Sequence, residues 1–153
     1  MRIFDLKQKL NSMKTENGHK IYQTAIQCEG QSWGNNYVAF GCAEEVNAII
    51  KKALGREIGG DVSTTRMYEA LRNNPLRFLE VEAPIEGDIV ISPTGYGTTG
   101  KVLNGHVGIY VGNQDIMSND SQTGKFEKNY TLFSWKKRYG EEGGYPVKFY
   151  RVI

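Results

Sequence analysis

Two cysteines, two histidines and four prolines are all that 153 residues hold of these types. Each scarcity excludes something. Cys28 and Cys42 form neither a metal-ligand spacing nor a disulfide framework, so no metal and no cofactor is expected. No apolar run approaches the roughly 20 residues of a membrane-spanning helix, which argues against membrane insertion. The first ten residues, Met1 to Leu10, carry scattered charges and lack the unbroken apolar segment of a secretory signal. They read as the start of a chain synthesised in the cytoplasm that would need another factor to act outside it. A net charge of +2 is too small to argue for nucleic acid. Internal repeats and low-complexity stretches are absent as well.

What is present is the composition of one soluble globular domain over residues 1–153, expected to be monomeric. Hydrophobic content is 39% and charged content 24%, enough to build a core at this length. Apolar residues Ile3, Leu6, Leu10 and Met13 repeat at helical spacing. Asn17-Gly18 reads as a turn and Ile21 to Gln27 as a short strand or extended arm. Val46, Ile49, Ile50, Ala53 and Leu54 mark the clearest helix, starting near Gly41 or Cys42 and stopping at Gly55. Ser63, Thr64 or Thr65 caps another, which Asn73-Asn74-Pro75 ends. After Pro84 the pattern changes to strands, at Asp88–Ser92, His106–Val111 and Ile116–Asn119. A short helix over Thr131–Tyr139 and a closing strand over Pro146–Val152 follow. Helices first and strands afterwards predict an α+β fold with an antiparallel sheet.

Cys42 falls in the first turn of the clearest helix, and His106 opens the apolar phrase Gly105-His106-Val107-Gly108-Ile109-Tyr110-Val111-Gly112. A thiol at a helix start and an imidazole on a strand are the two halves of a cysteine-nucleophile site, because the thiolate is the reactive form and needs a base. Glu44 and Glu45 oppose the helix dipole at Cys42, so the basic partner has to supply most of the activation. His19 lies in a polar turn and reads as a solvated surface residue. A third group should orient the imidazole. Ser118, Asn119 and Asp120 are the candidates, and strand parity separates them. A two-residue turn at Asn113-Gln114 sets Gly108 opposite Asn119 and favours Asn119. A three-residue turn reverses the parity and favours Asp120 or Ser118. Asn119 is the preferred assignment.

Three segments together resemble the CHAP and NlpC-type cysteine amidohydrolases, a branch of the papain-like fold. They are Gly41-Cys42 opening a helix, Pro84-Ile85-Glu86-Gly87-Asp88-Ile89-Val90 leading into the first core strand, and the histidine phrase. The resemblance covers about residues 36–120. It implies Cys42 as nucleophile, His106 as general base, a polar third residue at Asn119, and hydrolysis of an amide bond, commonly in bacterial peptidoglycan. The stretch from Ile116 to Gly124, with Asn129-Tyr130-Thr131 and Trp135, is similar to the end of phage-associated, endolysin-like members. Release by a lytic pore, a virion or a secretion apparatus would then bring the protein to the wall. Departures are visible: Gly-Cys-Ala stands where NlpC-type enzymes usually have Asp-Cys-Ser, and no histidine is left for the third position. Papain-like enzymes often carry a glutamine six residues before the cysteine, where this chain has Asn36. Asn36, beside the Cys42 backbone N–H, is the candidate oxyanion donor, and Tyr37 a candidate substrate contact.

Trp33, Tyr37 and Tyr96 are aromatics in loops near these segments, suited to stacking on sugars or peptide stems or simply to loop packing. The loop Thr94–Lys101 lacks a Walker lysine–serine pattern and reads as a flap over a groove rather than a phosphate cradle. Two other readings of the chain compete: the same chemistry on an amide of a protein, and a non-catalytic binding module on a hydrolase scaffold.

Overall fold

The computed structural model describes residues 2–32 and 41–153. Trp33, Asn36 and Tyr37, read above as aromatic, oxyanion and substrate candidates, lie outside the described residues. Four helices come first: α1 (Ile3–Ser12), α2 (Glu16–Gln27), α3 (Cys42–Leu54) and α4 (Thr64–Arg72). Strands β1 (Phe78–Val81), β2 (Ile89–Ser92), β3 (His106–Tyr110), β4 (Asp115–Asn119) and β5 (Phe126–Thr131) follow. A short helix α5 (Leu132–Trp135) runs into a π-helical turn, Lys136–Glu142, and β6 (Lys148–Val152) closes the chain. The six strands form one antiparallel sheet in the order β1-β6-β2-β3-β4-β5. No helix among the described residues is long and apolar enough to cross a membrane.

The sheet is covered on both faces, which is why Ile89-Val90-Ile91 reads as a continuous apolar run rather than an alternating one. Ile89, Ile91, Val107, Ile109 and Met117 face a core built with Val46, Ile49 and Ile50 of α3 and Ile21 and Ala25 of α2. Val90, Tyr110, Ile116 and Phe149 face a second core with Trp135, Tyr139 and Tyr145. The helical layer and the α5 turn therefore clasp opposite sides of β3 and β4.

Residues 16–27 correct the expectation of a turn followed by an extended arm. Thr15 caps α2 by accepting a hydrogen bond from the Gly18 N–H at 2.9 Å, so Asn17-Gly18 sits in a first helical turn. Tertiary contact accompanies this cap, since α2 lies against the turn before β2. A Cβ on Gly87, at φ +94°, would lie 1.9 Å from the Gly18 carbonyl oxygen. Gly87 thus lets α2 rest directly on that turn, while a Cβ on Gly18 would press on the capping Thr15 Oγ1 at 2.9 Å.

Behind that turn lies a buried ion pair. Arg151 Nε donates to Asp88 Oδ1 at 3.0 Å, and Nη2 donates to Oδ2 at 2.8 Å, with side chains 1% and 0% exposed. Arg151 Nη1 donates to the carbonyls of Leu10, Asn11 and Met13, closing the C-terminal end of α1. Asp88 Oδ2 also accepts from the Ile85 N–H at 2.8 Å. The Gly-Asp phrase is therefore a structural clamp joining α1, β2 and β6.

Candidate active site

Cys42 opens α3, with Gly41 as the residue before its first turn. His106 opens β3, where Gly105 binds back to the Thr94 hydroxyl through its N–H at 2.9 Å. Both side chains line one groove of about 760 Å3, together with Asn119, Asp120, Asn129 and Tyr130. The pairing inferred from a helix start and a strand start is thus a spatial one. Cys28 is fully buried at the C-terminal end of α2 and does not line this groove. His19 is exposed, as expected, and lies elsewhere.

The hairpin register decides what touches His106. Val111 and Asp115 are joined by a hydrogen bond at 3.0 Å, and Tyr110 pairs with Ile116, leaving Gly112, Asn113 and Gln114 as a three-residue turn. All three have positive φ: 88°, 51° and 69°. Gly108 consequently faces Ser118, not Asn119. The two-residue turn behind the Asn119 preference is corrected, and the turn formed is the longer one, which favours Asp120 or Ser118. Alternation puts Ser118 on the His106 face and Asn119 on the α3 face, although Asn119 still lines the groove. Asp120 also lines it, but its Oδ1 accepts from the backbone N–H groups of Gln122 and Thr123 at 2.8 and 3.2 Å. Gly108 makes room for the pairing, because a Cβ there would sit 2.7 Å from the Met117 carbonyl and 3.1 Å from the Ser118 Cβ.

His106 Nε2 and Ser118 Oγ are 2.8 Å apart, and Ser118 Oγ is 2.5 Å from Asn129 Oδ1. Asn129 Nδ2 donates to the Asn119 carbonyl at 3.4 Å, which orients the amide and leaves Oδ1 an acceptor. The Ser118 hydroxyl must then give its proton to Asn129 and accept the N–H of His106 Nε2. This relay selects the Nε2–H tautomer and leaves Nδ1 as the basic nitrogen. Asn129 was not read from the sequence. It lies on β5, a strand that the pattern Phe-Glu-Lys-Asn-Tyr-Thr does not announce.

Aromatic rings hold the imidazole. Trp135, Tyr130 and Tyr139 lie 5.2, 5.6 and 5.8 Å from it between ring centroids. Trp135 is itself fixed by donating Nε1–H to Ser92 Oγ at 3.0 Å. The expected stacking role of Tyr96 finds no place in the groove: its ring meets Tyr68 edge-on at 5.3 Å, and its hydroxyl accepts from Arg72. The glycine-rich loop read as a flap is fastened down, with Thr98 N–H and Thr99 Oγ1 bonded to the carbonyls of Gly143 and Glu142.

Burial sets the resting protonation. It pushes the Cys42 thiol up to about 11, while hydrogen bonding from the backbone of Val107, Ala43 and Cys42 pulls the other way and the Glu45 charge adds to the rise. Burial draws His106 down to about 4, helped by the Arg138 charge. Desolvation thus outweighs the helix start, and both groups are neutral at neutral pH.

These shifts also bear on stability. Between about pH 6.5 and about 4 the unfolded chain protonates His106 and the folded one does not, so stability falls as pH falls through this window. Between about pH 9 and about 11 the unfolded chain ionises Cys42 and the folded one does not, so stability falls as pH rises there. Urea denaturation across pH should show a plateau between these limbs, with roughly 2–3 kcal/mol lost on the acid side after allowance for solvent at the open edge of the ring. His106→Phe should flatten the acid limb; an unchanged limb would mean that His106 does not produce it.

A helix carrying the thiol, laid across an antiparallel sheet carrying the imidazole, defines a papain-like α+β scaffold. NlpC1 from Trichomonas vaginalis matches over 92% of this chain and 45% of its own length, with a TM-score of 0.54 and 15% identity. NlpC2 from Trichomonas vaginalis matches over 93% of this chain and 48% of its own, with a TM-score of 0.52 and 14% identity. The chain therefore spans about half the length of these two proteins. The fold is NlpC-like. No protein-family model matches the chain, and no curated protein matches its sequence.

Proposed function

We propose that this protein is a cysteine hydrolase of the NlpC type that cleaves amide bonds in bacterial peptidoglycan, as an amidase or an endopeptidase. The observation that carries the chemistry is the shared groove, lined both by Cys42 and by a histidine whose tautomer is set by Ser118 and Asn129. The NlpC-like fold and the motif resemblance support the substrate class.

Because thiol and imidazole rest neutral, His106 works as a general base during attack rather than as half of a standing ion pair. Cys42 Sγ bonds to the amide carbon while its proton passes to His106 Nδ1. The imidazolium returns that proton to the amide nitrogen as the C–N bond breaks, leaving a thioester. Water then attacks the thioester, giving a proton to Nδ1, and the imidazolium passes that proton to Sγ as the C–S bond breaks, releasing the carboxylic acid and restoring the thiol and the neutral imidazole. Ser118 holds the ring throughout without leaving its own proton to the reaction. The reading extends to a wall-lytic protein of the phage-associated kind, reaching the wall by release or as part of a virion; the sequence resemblance supports this.

Digestion of purified peptidoglycan, with mass spectrometry of the new ends, tests the function. New amino and carboxyl ends within stem peptides, or free stems cut from the sugar, are expected from the wild type and not from Cys42→Ala. An intact wall after prolonged digestion would sink the proposal. Ser118→Ala should lower kcat/KM by roughly 10–100-fold, part of the 10²–10⁴ that a positioned base contributes. Asn129→Ala should act in the same direction and be nonadditive with Ser118→Ala, since both break one relay. Asn119→Ala more damaging than Ser118→Ala would show that the hairpin assignment misplaces the orienting group.

A further inference from the structure

We infer that Arg138 is a substrate anchor that pairs with a carboxylate lying close to the bond cleaved, so that the groove selects acidic peptides. The inference rests on the hydrolase reading for the identity of the bond, but the charge preference it assigns is a property of binding. Arg138 is exposed, lines the groove of Cys42 and His106, and stands on the π-helical turn Lys136–Glu142. That turn is rigidly seated, because the neighbouring Tyr139 and the preceding Trp135 are 4% and 0% exposed and both lie against the His106 ring. The Arg138 guanidinium carbon sits 5.7 Å from the Tyr139 ring centroid. An arginine held this way keeps its planar fork of N–H donors presented rather than swinging free.

Arg138 shares a side-chain hydrogen bond with Tyr139 and feels the charge of Glu142 on the same turn, without an ion pair to either. Among the described residues no carboxylate forms an ion pair with Arg138. Among the described residues lining the groove Asp120 is the acidic one, and its Oδ1 caps the backbone of Gln122 and Thr123. The rest of the lining is neutral, largely hydroxyls and amides. A carboxylate entering such a groove finds in Arg138 a guanidinium able to bind it in bidentate fashion. Arg138 lines the same groove as the imidazole and acts on it through its charge, which places an anchored carboxylate on the His106 side of the groove. Lys137 carries the same charge one residue away but does not line the groove.

The test uses a peptidoglycan stem peptide with free carboxylates and the same peptide with those carboxylates converted to primary amides. Binding to the full-length Cys42→Ser protein is measured by calorimetry, and turnover of both peptides by the wild type is followed by mass spectrometry. The acidic peptide should bind at least about tenfold more tightly, as expected for a charge-assisted bidentate contact. Adding Arg138→Gln should bring the acid-to-amide ratio close to one. Arg138→Lys should restore it only in part, because a point charge replaces the fork. Lys137→Gln should keep the full ratio, which separates an anchor from general surface charge. Equal affinity for the two peptides, or a ratio that survives Arg138→Gln, overturns the anchor. So does an Arg138→Gln enzyme that loses kcat equally on both peptides, since that would place the residue on the reacting atoms instead. Charge-selective binding without any cleavage would overturn the hydrolase reading and leave the anchor standing.

Discussion

Cys42→Ala is expected to leave less than about one part in 10⁴ of wild-type kcat/KM, and His106→Ala a comparably small residue of activity, because the two act as one unit. The double variant should be little worse than either single one. Both proteins should remain folded, since Cys42 is a small side chain at a helix start and His106 sits at the edge of its strand. Cys28→Ser provides the contrast. It removes the other free thiol, a residue with 0% exposure that packs among the helices, so some stability is lost while turnover is retained. Far-ultraviolet circular dichroism and initial rates on solubilised peptidoglycan distinguish the cases. Robust turnover by Cys42→Ala would remove the nucleophile assignment, and abolished turnover by a well-folded Cys28→Ser would transfer it.

Asp88→Ala should cost about 3–5 kcal/mol of stability, a large share of what a domain of this size has. The cost comes from what the variant leaves behind. Arg151 is 1% exposed, and without Asp88 its Nε and Nη2 would be charged donors with no acceptor, although Nη1 would keep the carbonyls at the end of α1. Replacing both partners with apolar residues, as in Asp88→Leu with Arg151→Met, should cost clearly less than Asp88→Ala alone. That ordering follows because a missing ion pair is tolerated better than an unpaired buried charge. Urea titrations monitored by tryptophan fluorescence would give both values. An Asp88→Ala midpoint within the equivalent of 1 kcal/mol of wild type would mean that the clamp does not bear on stability.

The clamp shows where reading the chain stopped. Gly87-Asp88 was visible as a phrase leading into a core strand, but nothing local connects Asp88 with Arg151 on the closing strand or with the end of α1. The π-helical turn was likewise hidden inside a segment read as a single short helix over Thr131–Tyr139. Strands β1 and β5 escaped because β1 is a four-residue edge strand and β5, at the opposite edge, carries Glu-Lys-Asn in its middle without a period-2 apolar pattern. The α2 helix escaped because its Asn-Gly pair has the composition of a turn, while here the glycine sits against the capping Thr15 hydroxyl in the first helical turn.

By itself the sequence determined the α+β class and the limits of α3, and it picked out Cys42 and His106 as the candidate reactive pair. These depend on local causes: helical repetition of Val46, Ile49 and Ile50, a cysteine in the first turn, and a histidine leading an apolar β run. Tertiary structure decided which polar group meets the imidazole. A single residue in the length of a turn reverses the side-chain parity of an entire strand, and Gly112-Asn113-Gln114 took the longer form, setting Ser118 and then Asn129 behind His106. It also decided the protonation of the site, because enclosure by Trp135, Tyr130 and Tyr139 and the burial of Cys42 come from elements far apart in the chain. Desolvation depends on what surrounds a group in space, and no spacing along the sequence encodes it.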